Sequence, residues 1–140
     1  MKFYLIDRVI EQTDDSIVAL KALTNAEEYL DDHFPGFPVM PGVMMLETLV
    51  QAARRLIRDV DGAESPGPLV VSQARNIRYA AMVRPGQTLR VQVTLRKRHD
   101  DGTLDFQGTG TVDDEVAVQG RFSLAPSRGN LHALAPAAAG

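Results

Sequence analysis

Two residues of this chain, His33 and Glu47, have side chains that can move protons, and they lie fourteen positions apart. His33 opens a segment rich in proline and glycine that reads HFPGFPVMPG, and Glu47 lies in the apolar stretch that follows. A neutral imidazole can act as a base near neutral pH, and a carboxyl group removed from water can act as an acid. The pair therefore predicts an acid–base site, formed within one chain or across a dimer.

The stretch that contains Glu47 predicts a long helix over residues 42–58. Pro41 suits the first turn, where its missing N–H costs nothing, and no further proline occurs before the predicted end. Apolar residues occupy nearly every side of the first three turns, which predicts a helix that is largely buried. Carboxylates are rarely buried without a partner. Two other interpretations of Glu47 therefore stay open: a side chain that reaches solvent along a polar stripe, or a carboxylate paired with an arginine.

The rest of the chain is typical of a β-sheet protein. Strands are predicted over residues 3–10, 16–22, 69–79, 87–98, 104–112 and 115–124, with apolar residues alternating in the fourth. Asp100-Asp101-Gly102 is a hairpin signal. One long helix with five or six strands indicates the α+β class, with a curved antiparallel sheet wrapped around the helix. The domain is expected to span residues 1–126. Residues 127–140, which are rich in alanine and proline, are expected to form a disordered tail.

Composition excludes several classes of protein. The 140 residues suit one domain, and the net charge of -3 argues against nucleic-acid binding. Without cysteine there is no disulfide, thiol nucleophile or thiolate metal site. The three histidines lack metal-ligand spacing, and His99, in a polar hairpin end, is expected to be solvated. No apolar run approaches the ~20 residues of a membrane span, and no signal-peptide pattern is present, so a cytoplasmic location is expected.

The sequence around both candidate residues resembles a known enzyme family. The string HFPGFPVMPGVMMLETLVQAA resembles the signature of the bacterial 3-hydroxyacyl-[acyl-carrier-protein] dehydratases of the FabZ type, with His33, Glu47 and Gln51 at the family's spacing and Thr48 where alanine is usual. Two weaker segments also match. Residues 3–9 look like the family's opening strand, and residues 79–89, which include Arg84-Pro85-Gly86-Gln87, look like its Phe-Arg-Arg-Pro-Val-x-Pro-Gly-Asp block.

The resemblance implies a fold, a reaction and a site. The fold is the hot-dog fold, and the reaction eliminates water from a 3-hydroxyacyl chain carried on an acyl carrier protein. His33 and Glu47 occupy the catalytic positions, the Gly42 amide orients the thioester, and Gln51 holds Glu47. In the family, the histidine of one subunit faces the glutamate of the other, so a homodimer is expected, with a trimer of dimers left open. No metal, redox cofactor, nucleic acid or membrane is expected to take part.

Two other functions stay open beside dehydration. A thioesterase of the same fold would use Glu47 to activate water, and a non-catalytic subunit would bind the acyl carrier beside an active paralogue. The chain also departs from the family at Ala80-Ala81-Met82, where the family has Arg-Arg-Pro. The family's arginines are plausible contacts for an acidic carrier protein. Arginines elsewhere could supply a substitute basic patch: Arg54, Arg55, Arg58, Arg78 and Arg84.

Overall fold

The fold is a six-stranded antiparallel sheet that carries one long helix. The computed structural model describes residues 5–24, 39–62 and 68–127. In chain order, the elements are β1 (Arg8–Gln12), β2 (Ser16–Ala22), α1 (Gly42–Asp61), β3 (Leu69–Tyr79), β4 (Thr88–Arg98), β5 (Leu104–Val112) and β6 (Glu115–Pro126). The strands are ordered β1-β2-β4-β5-β6-β3, so β1 and β3 form the two edges. The predicted α+β class is confirmed.

Short turns, whose conformations follow from the backbone preferences of their residues, connect the neighbouring strands β4, β5 and β6. Gly102 has a φ of 93° in the turn between β4 and β5, and the His99 amide there donates to the Thr103 carbonyl at 2.9 Å. The turn between β5 and β6 has two residues, Asp113 and Asp114, with φ values of 49° and 66°. Turns with positive φ at both positions match the twist of paired strands. These turns fix the meander that forms one side of the sheet.

The helix packs on the sheet along one apolar face. Leu49, Leu56 and Ile57 of α1 are fully buried, as are Val91 and Val93 of β4. Because alternate residues of a strand share one face, the period-2 pattern of β4 places its apolar residues beneath the helix.

One glycine in β5 lets the helix approach the sheet closely. A Cβ added at Gly108 would lie 3.2 Å from the side chain of Leu49, closer than most side-chain contacts. The bare backbone of Gly108 therefore leaves room for Leu49, and α1 with its polar residues is fixed relative to the strands.

Three expectations from the sequence differ from the structure. The first strand begins at Arg8 rather than residue 3: Leu5 is buried, but its amide donates to the Gln51 side chain on α1 instead of a strand. The helix runs to Asp61 rather than residue 58. It is also less buried than predicted, because it covers the sheet with one face only and leaves Val43 66% exposed.

Several predictions concern residues outside the described ranges. Residues 25–38, which include His33, are among them, as are residues 128–140. The domain boundary at residue 126 stays a prediction, although β6 ends at Pro126. Within the described ranges, no helix has the length and the apolar sequence needed to cross a membrane.

Candidate active site

Glu47 lies in the second turn of α1, where two side-chain donors hold its carboxylate. The Gln51 side-chain amide lies 3.2 Å from Glu47 Oε2, and the Arg54 guanidinium, through Nη1, lies 3.3 Å from the same oxygen. The three residues are spaced i, i+4 and i+7, so they share one face of the helix. Together they form a polar row along the helix.

The surroundings of Glu47 differ from the apolar burial that the helix pattern favours. Its side chain is 37% exposed and forms an ion pair with Arg54, whose side chain is 39% exposed. Of the interpretations of Glu47 that the sequence left open, the structure shows the one in which the carboxylate pairs with an arginine. The physical reason is the single packed face of α1: the polar row lies beside the sheet-facing surface rather than within it.

Gln51 connects the carboxylate to the chain upstream of β1. Its Oε1 accepts a hydrogen bond from the Leu5 amide at 2.8 Å, while its Nε2 donates to Glu47. An amide with its acceptor occupied by a backbone N–H must turn its NH₂ group the other way. The hydrogen bond from Leu5 thus aims the Gln51 donor at Glu47. The structure brings these two residues together as their spacing predicted.

The start of α1 brings backbone donors close to a tyrosine. Pro41 precedes the helix, and no side chain of the described residues caps it. The first N–H groups of a helix have no intrahelical acceptor, so the Gly42 amide can donate to a ligand. A Cβ at Gly42 would lie 3.1 Å from the ring of Tyr79, so the absence of a side chain at Gly42 lets this ring pack against the backbone. Partial burial of the Tyr79 hydroxyl raises its pKa from the ordinary value.

The structure does not place His33 relative to Glu47, since His33 lies outside the described residues. It does describe the two residues that lie between this undescribed segment and Pro41, namely Val39 and Met40. Val39 and Met40 are buried, and the Met40 amide donates to the Val83 carbonyl at 2.8 Å. The chain therefore enters α1 from a fixed point.

The segment that departs from the family pattern borders an open cleft. Ala80, Ala81 and Met82 line it together with Val116, and its volume is about 700 Å³. Met82 is 55% exposed. The lining is mixed in polarity, because Arg84, Gln87 and Glu115 also border the cleft.

A second polar cluster was missed by the sequence reasoning. His99, interpreted there as solvated, lies with Nε2 2.8 Å from Asp105 Oδ2, and the Ser123 hydroxyl donates to Asp105 Oδ1 at 2.7 Å. The hairpin signal at Asp100-Asp101-Gly102 could have indicated the first contact, because a hairpin brings the two strand ends together. The part of the chain that the structure describes holds no group of three His, Asp or Glu side chains suited to a metal ion.

Comparison with known proteins relates most of the chain to one family. A FabA-like domain matches residues 1–121. A 3-hydroxyacyl-[acyl-carrier-protein] dehydratase FabZ of Lactococcus lactis subsp. cremoris is 38% identical over 124 residues, which cover 88% of this chain and 84% of the relative. The enzyme of the same name from Coxiella burnetii is 41% identical over 120 residues, 84% of each chain.

A solved structure shows the same fold. The structure titled "The Dehydratase Heterocomplex ApeI:P", from Xenorhabdus doucetiae, matches with a TM-score of 0.74 at 18% identity, over 95% of this chain and 88% of that one. The predicted hot-dog fold is thereby confirmed. Since the family model spans most of the sequence and the named relatives are well above 30% identical, this chain belongs to the FabA-like family.

Proposed function

We propose that this chain removes water from 3-hydroxyacyl groups carried on an acyl carrier protein and releases the trans-2-enoyl thioester. The reaction belongs to fatty acid or related acyl-chain biosynthesis, and the enzyme is a hydro-lyase. One observation carries the proposal: Glu47 is held by donors on one oxygen only, in a chain whose named relatives are dehydratases of this class. A cytoplasmic location is part of the proposal.

His33 and Glu47 divide the proton transfers between them. His33 takes the proton from the carbon next to the thioester carbonyl, and the electron pair of that C–H bond forms the new double bond. Glu47, as the carboxylic acid, gives its proton to the 3-hydroxyl, and the C–O bond breaks to release water. General acid and base groups typically contribute about 10²–10⁴-fold each, so both are needed for useful turnover.

Gly42 and Gln51 support this chemistry from opposite ends of the first helical turns. The Gly42 amide donates to the thioester oxygen, where negative charge develops as the α-proton leaves. Gln51 keeps the Glu47 side chain in one orientation, because its own orientation is set by the Leu5 amide. Neither role requires a metal ion or a redox cofactor.

A homodimer would complete the site and cover the surface that one chain leaves open. The edge strand β3 is eleven residues long and is exposed along most of its length. Val70, Val71 and Tyr79 of this strand and Val43 at the start of α1 are exposed, at 42–66%. A long edge strand that has a neighbour on one side only among the described residues favours pairing with another chain, and two-fold dimers are the commonest solution. In such a dimer, His33 of one chain would face Glu47 of the other. Assembly of dimers into a trimer stays a prediction.

An activity assay with two readouts tests the dehydratase proposal. Purified protein is incubated with a short 3-hydroxyacyl thioester or its trans-2-enoyl counterpart, carried on acyl carrier protein. Enoyl absorbance and free thiol are followed together. Interconversion without thiol release, unaffected by a chelator, is expected. Thiol release without a change in enoyl absorbance would identify a thioesterase, and neither signal would favour the non-catalytic subunit.

Complementation between inactive variants tests the shared site. His33→Ala and Glu47→Ala proteins are mixed under conditions in which subunits exchange. Each heterodimer should then contain one intact pair and regain part of the parent activity. Full activity in a preparation shown to be monomeric by light scattering would contradict the dimer.

A further inference from the structure

Arg54 connects the Glu47 carboxylate to an edge strand of the sheet. Its Nε donates to the carbonyl of Leu69, the first residue of β3, at 2.9 Å, and its Nη1 lies 3.3 Å from Glu47 Oε2. The guanidinium is a planar, rigid fork, so two of its N–H groups used on different elements fix their relative position. Leu69 is 6% exposed, which makes its carbonyl a fixed anchor.

The two donors leave the Glu47 carboxylate asymmetric. Gln51 and Arg54 both donate to Oε2, and within the described part of the chain Oε1 accepts no hydrogen bond. A proton on this carboxyl group therefore belongs on Oε1, because Oε2 already faces two N–H groups. Oε1 is therefore the oxygen left to interact with a substrate hydroxyl.

We propose that Arg54 is a positioning residue of the dehydratase, which fixes Glu47 so that Oε1 delivers its proton to the 3-hydroxyl group. This inference rests on the proposed function, in which Glu47 is the acid. The Oε1–H bond breaks, a new O–H bond forms on the substrate hydroxyl, and the C–O bond breaks to release water. The electron pair for the double bond comes from the C–H bond that His33 opens. Arg54 itself stays protonated and touches no reacting atom.

Two simpler roles for Arg54 predict different results. An ion pair whose side chains are both more than one-third exposed contributes little to stability, so a purely structural Arg54 would barely change turnover. An arginine that binds an acidic carrier protein would change the KM for carrier-bound substrate and leave a small thioester substrate unaffected. A positioning residue changes kcat for both substrates, because it acts on the chemical step.

The test compares Arg54→Gln with Arg98→Gln, a matched control. Arg98 also joins the sheet to the helix through a carboxylate, since it pairs with Asp61 at 3.1 Å, fourteen residues from Glu47 on α1. Both variants are assayed with a carrier-bound and a small synthetic 3-hydroxyacyl thioester. Arg54→Gln should lower kcat about 10- to 100-fold on both substrates with little change in KM. Arg98→Gln should keep the parent kcat.

The Arg54→Lys variant tests whether the rigid guanidinium geometry or only the positive charge of Arg54 is needed. Lysine keeps the positive charge but lacks the rigid fork that reaches Leu69 and Glu47 at once. Its kcat should therefore stay close to that of Arg54→Gln. Full recovery of kcat in Arg54→Lys would overturn the inference, as would an Arg54→Gln kcat within twofold of the parent, or a loss confined to the KM of the carrier substrate. A parent protein without dehydratase activity would instead refute the proposed function.

Discussion

Two carboxylates of this protein, Glu47 and Asp105, each face two donor side chains, yet the donors are distributed differently. At Asp105, the Ser123 hydroxyl donates to Oδ1 at 2.7 Å and His99 Nε2 lies 2.8 Å from Oδ2, so both oxygens are occupied. At Glu47, the two donors share Oε2. A carboxylate accepts only, so the His99 nitrogen that faces Asp105 carries a proton.

This difference separates a structural cluster from a reactive one. Asp105 joins β5 to β6 through Ser123 and to the preceding turn through His99, so each of its two oxygens already has a partner within the chain. An acidic side chain beside a histidine and a serine resembles catalytic machinery, but the hydroxyl here is bound to the carboxylate rather than to the imidazole. At Glu47, only Oε2 accepts hydrogen bonds within the described part of the chain, which leaves Oε1 for a substrate.

The sharpest test of the comparison removes the acid from each cluster. Glu47→Gln keeps the side chain's shape but cannot deliver a proton as a carboxylic acid. Turnover should fall about 10²–10⁴-fold. Asp105→Asn should stay within about twofold of the parent, because Asp105 contacts no substrate in the proposed mechanism. Kinetics with the enoyl absorbance readout, on samples whose melting curves show folded protein, would measure both.

Two results would break the comparison. Comparable losses in the two variants would place Asp105 in the reaction. A Glu47→Gln protein with turnover within a few-fold of the parent would remove Glu47 from the mechanism and leave His33 without its partner.

A smaller effect is expected at Gln51, which orients the reactive carboxylate. Gln51→Leu removes the donor to Glu47 and the acceptor for the Leu5 amide. The loss of orientation should lower kcat about tenfold. The unpaired amide should lower the free energy of unfolding by about 1 kcal/mol, which urea denaturation measures. Gln51→Glu serves as the control for the Leu5 contact, since it restores an acceptor but places a negative charge beside Glu47. Unchanged kcat in Gln51→Leu would show that Glu47 needs no such support.

The sequence predicted the fold better than the surroundings of the site. Alternation in β4 and the turn signal at Asp100-Asp101-Gly102 depend on local periodicity and backbone preference, so their elements were predicted within a few residues. Helical spacing placed Gln51 beside Glu47 for the same reason. The exposure of Glu47, however, depends on which elements lie next to α1. Spacing alone gives no information about that.

Contacts between residues far apart in the sequence explain the two features that the sequence did not predict, the position of Arg54 and the later start of the first strand. Arg54 owes its position to the Leu69 carbonyl at the start of β3, fifteen residues away. The first predicted strand is shortened because the Leu5 amide bonds to a helix side chain forty-six residues further on. Local propensity contains no signal for either contact, since tertiary packing decides both.

The smallest expected effect concerns acid stability at the cluster of His99, Asp105 and Ser123. The Ser123 hydroxyl, followed by the contact with His99, lowers the pKa of Asp105 against the opposing effect of burial. A carboxyl group whose pKa is lower in the folded state binds fewer protons there than in the unfolded chain. Its contribution to stability is therefore complete above the ordinary aspartate pKa, about 3.9, and is lost as the pH falls through the lower folded value.

Asp105→Asn should reveal this contribution as a difference that depends on pH. Near pH 5 the variant should be less stable than the parent by about 1 kcal/mol, because one charged acceptor is lost from a partly exposed cluster. Below about pH 4 the difference should shrink, since the parent carboxylate becomes protonated and loses the same advantage. Urea midpoints from about pH 5 to about pH 2.5 measure it. The neighbouring Asp101, whose pKa is also lowered, is present in both proteins and cancels. A difference that stays constant or grows through this range would mean that the ionised form of Asp105 is not what Ser123 and His99 stabilise, and the contrast with Glu47 would lose its electrostatic basis.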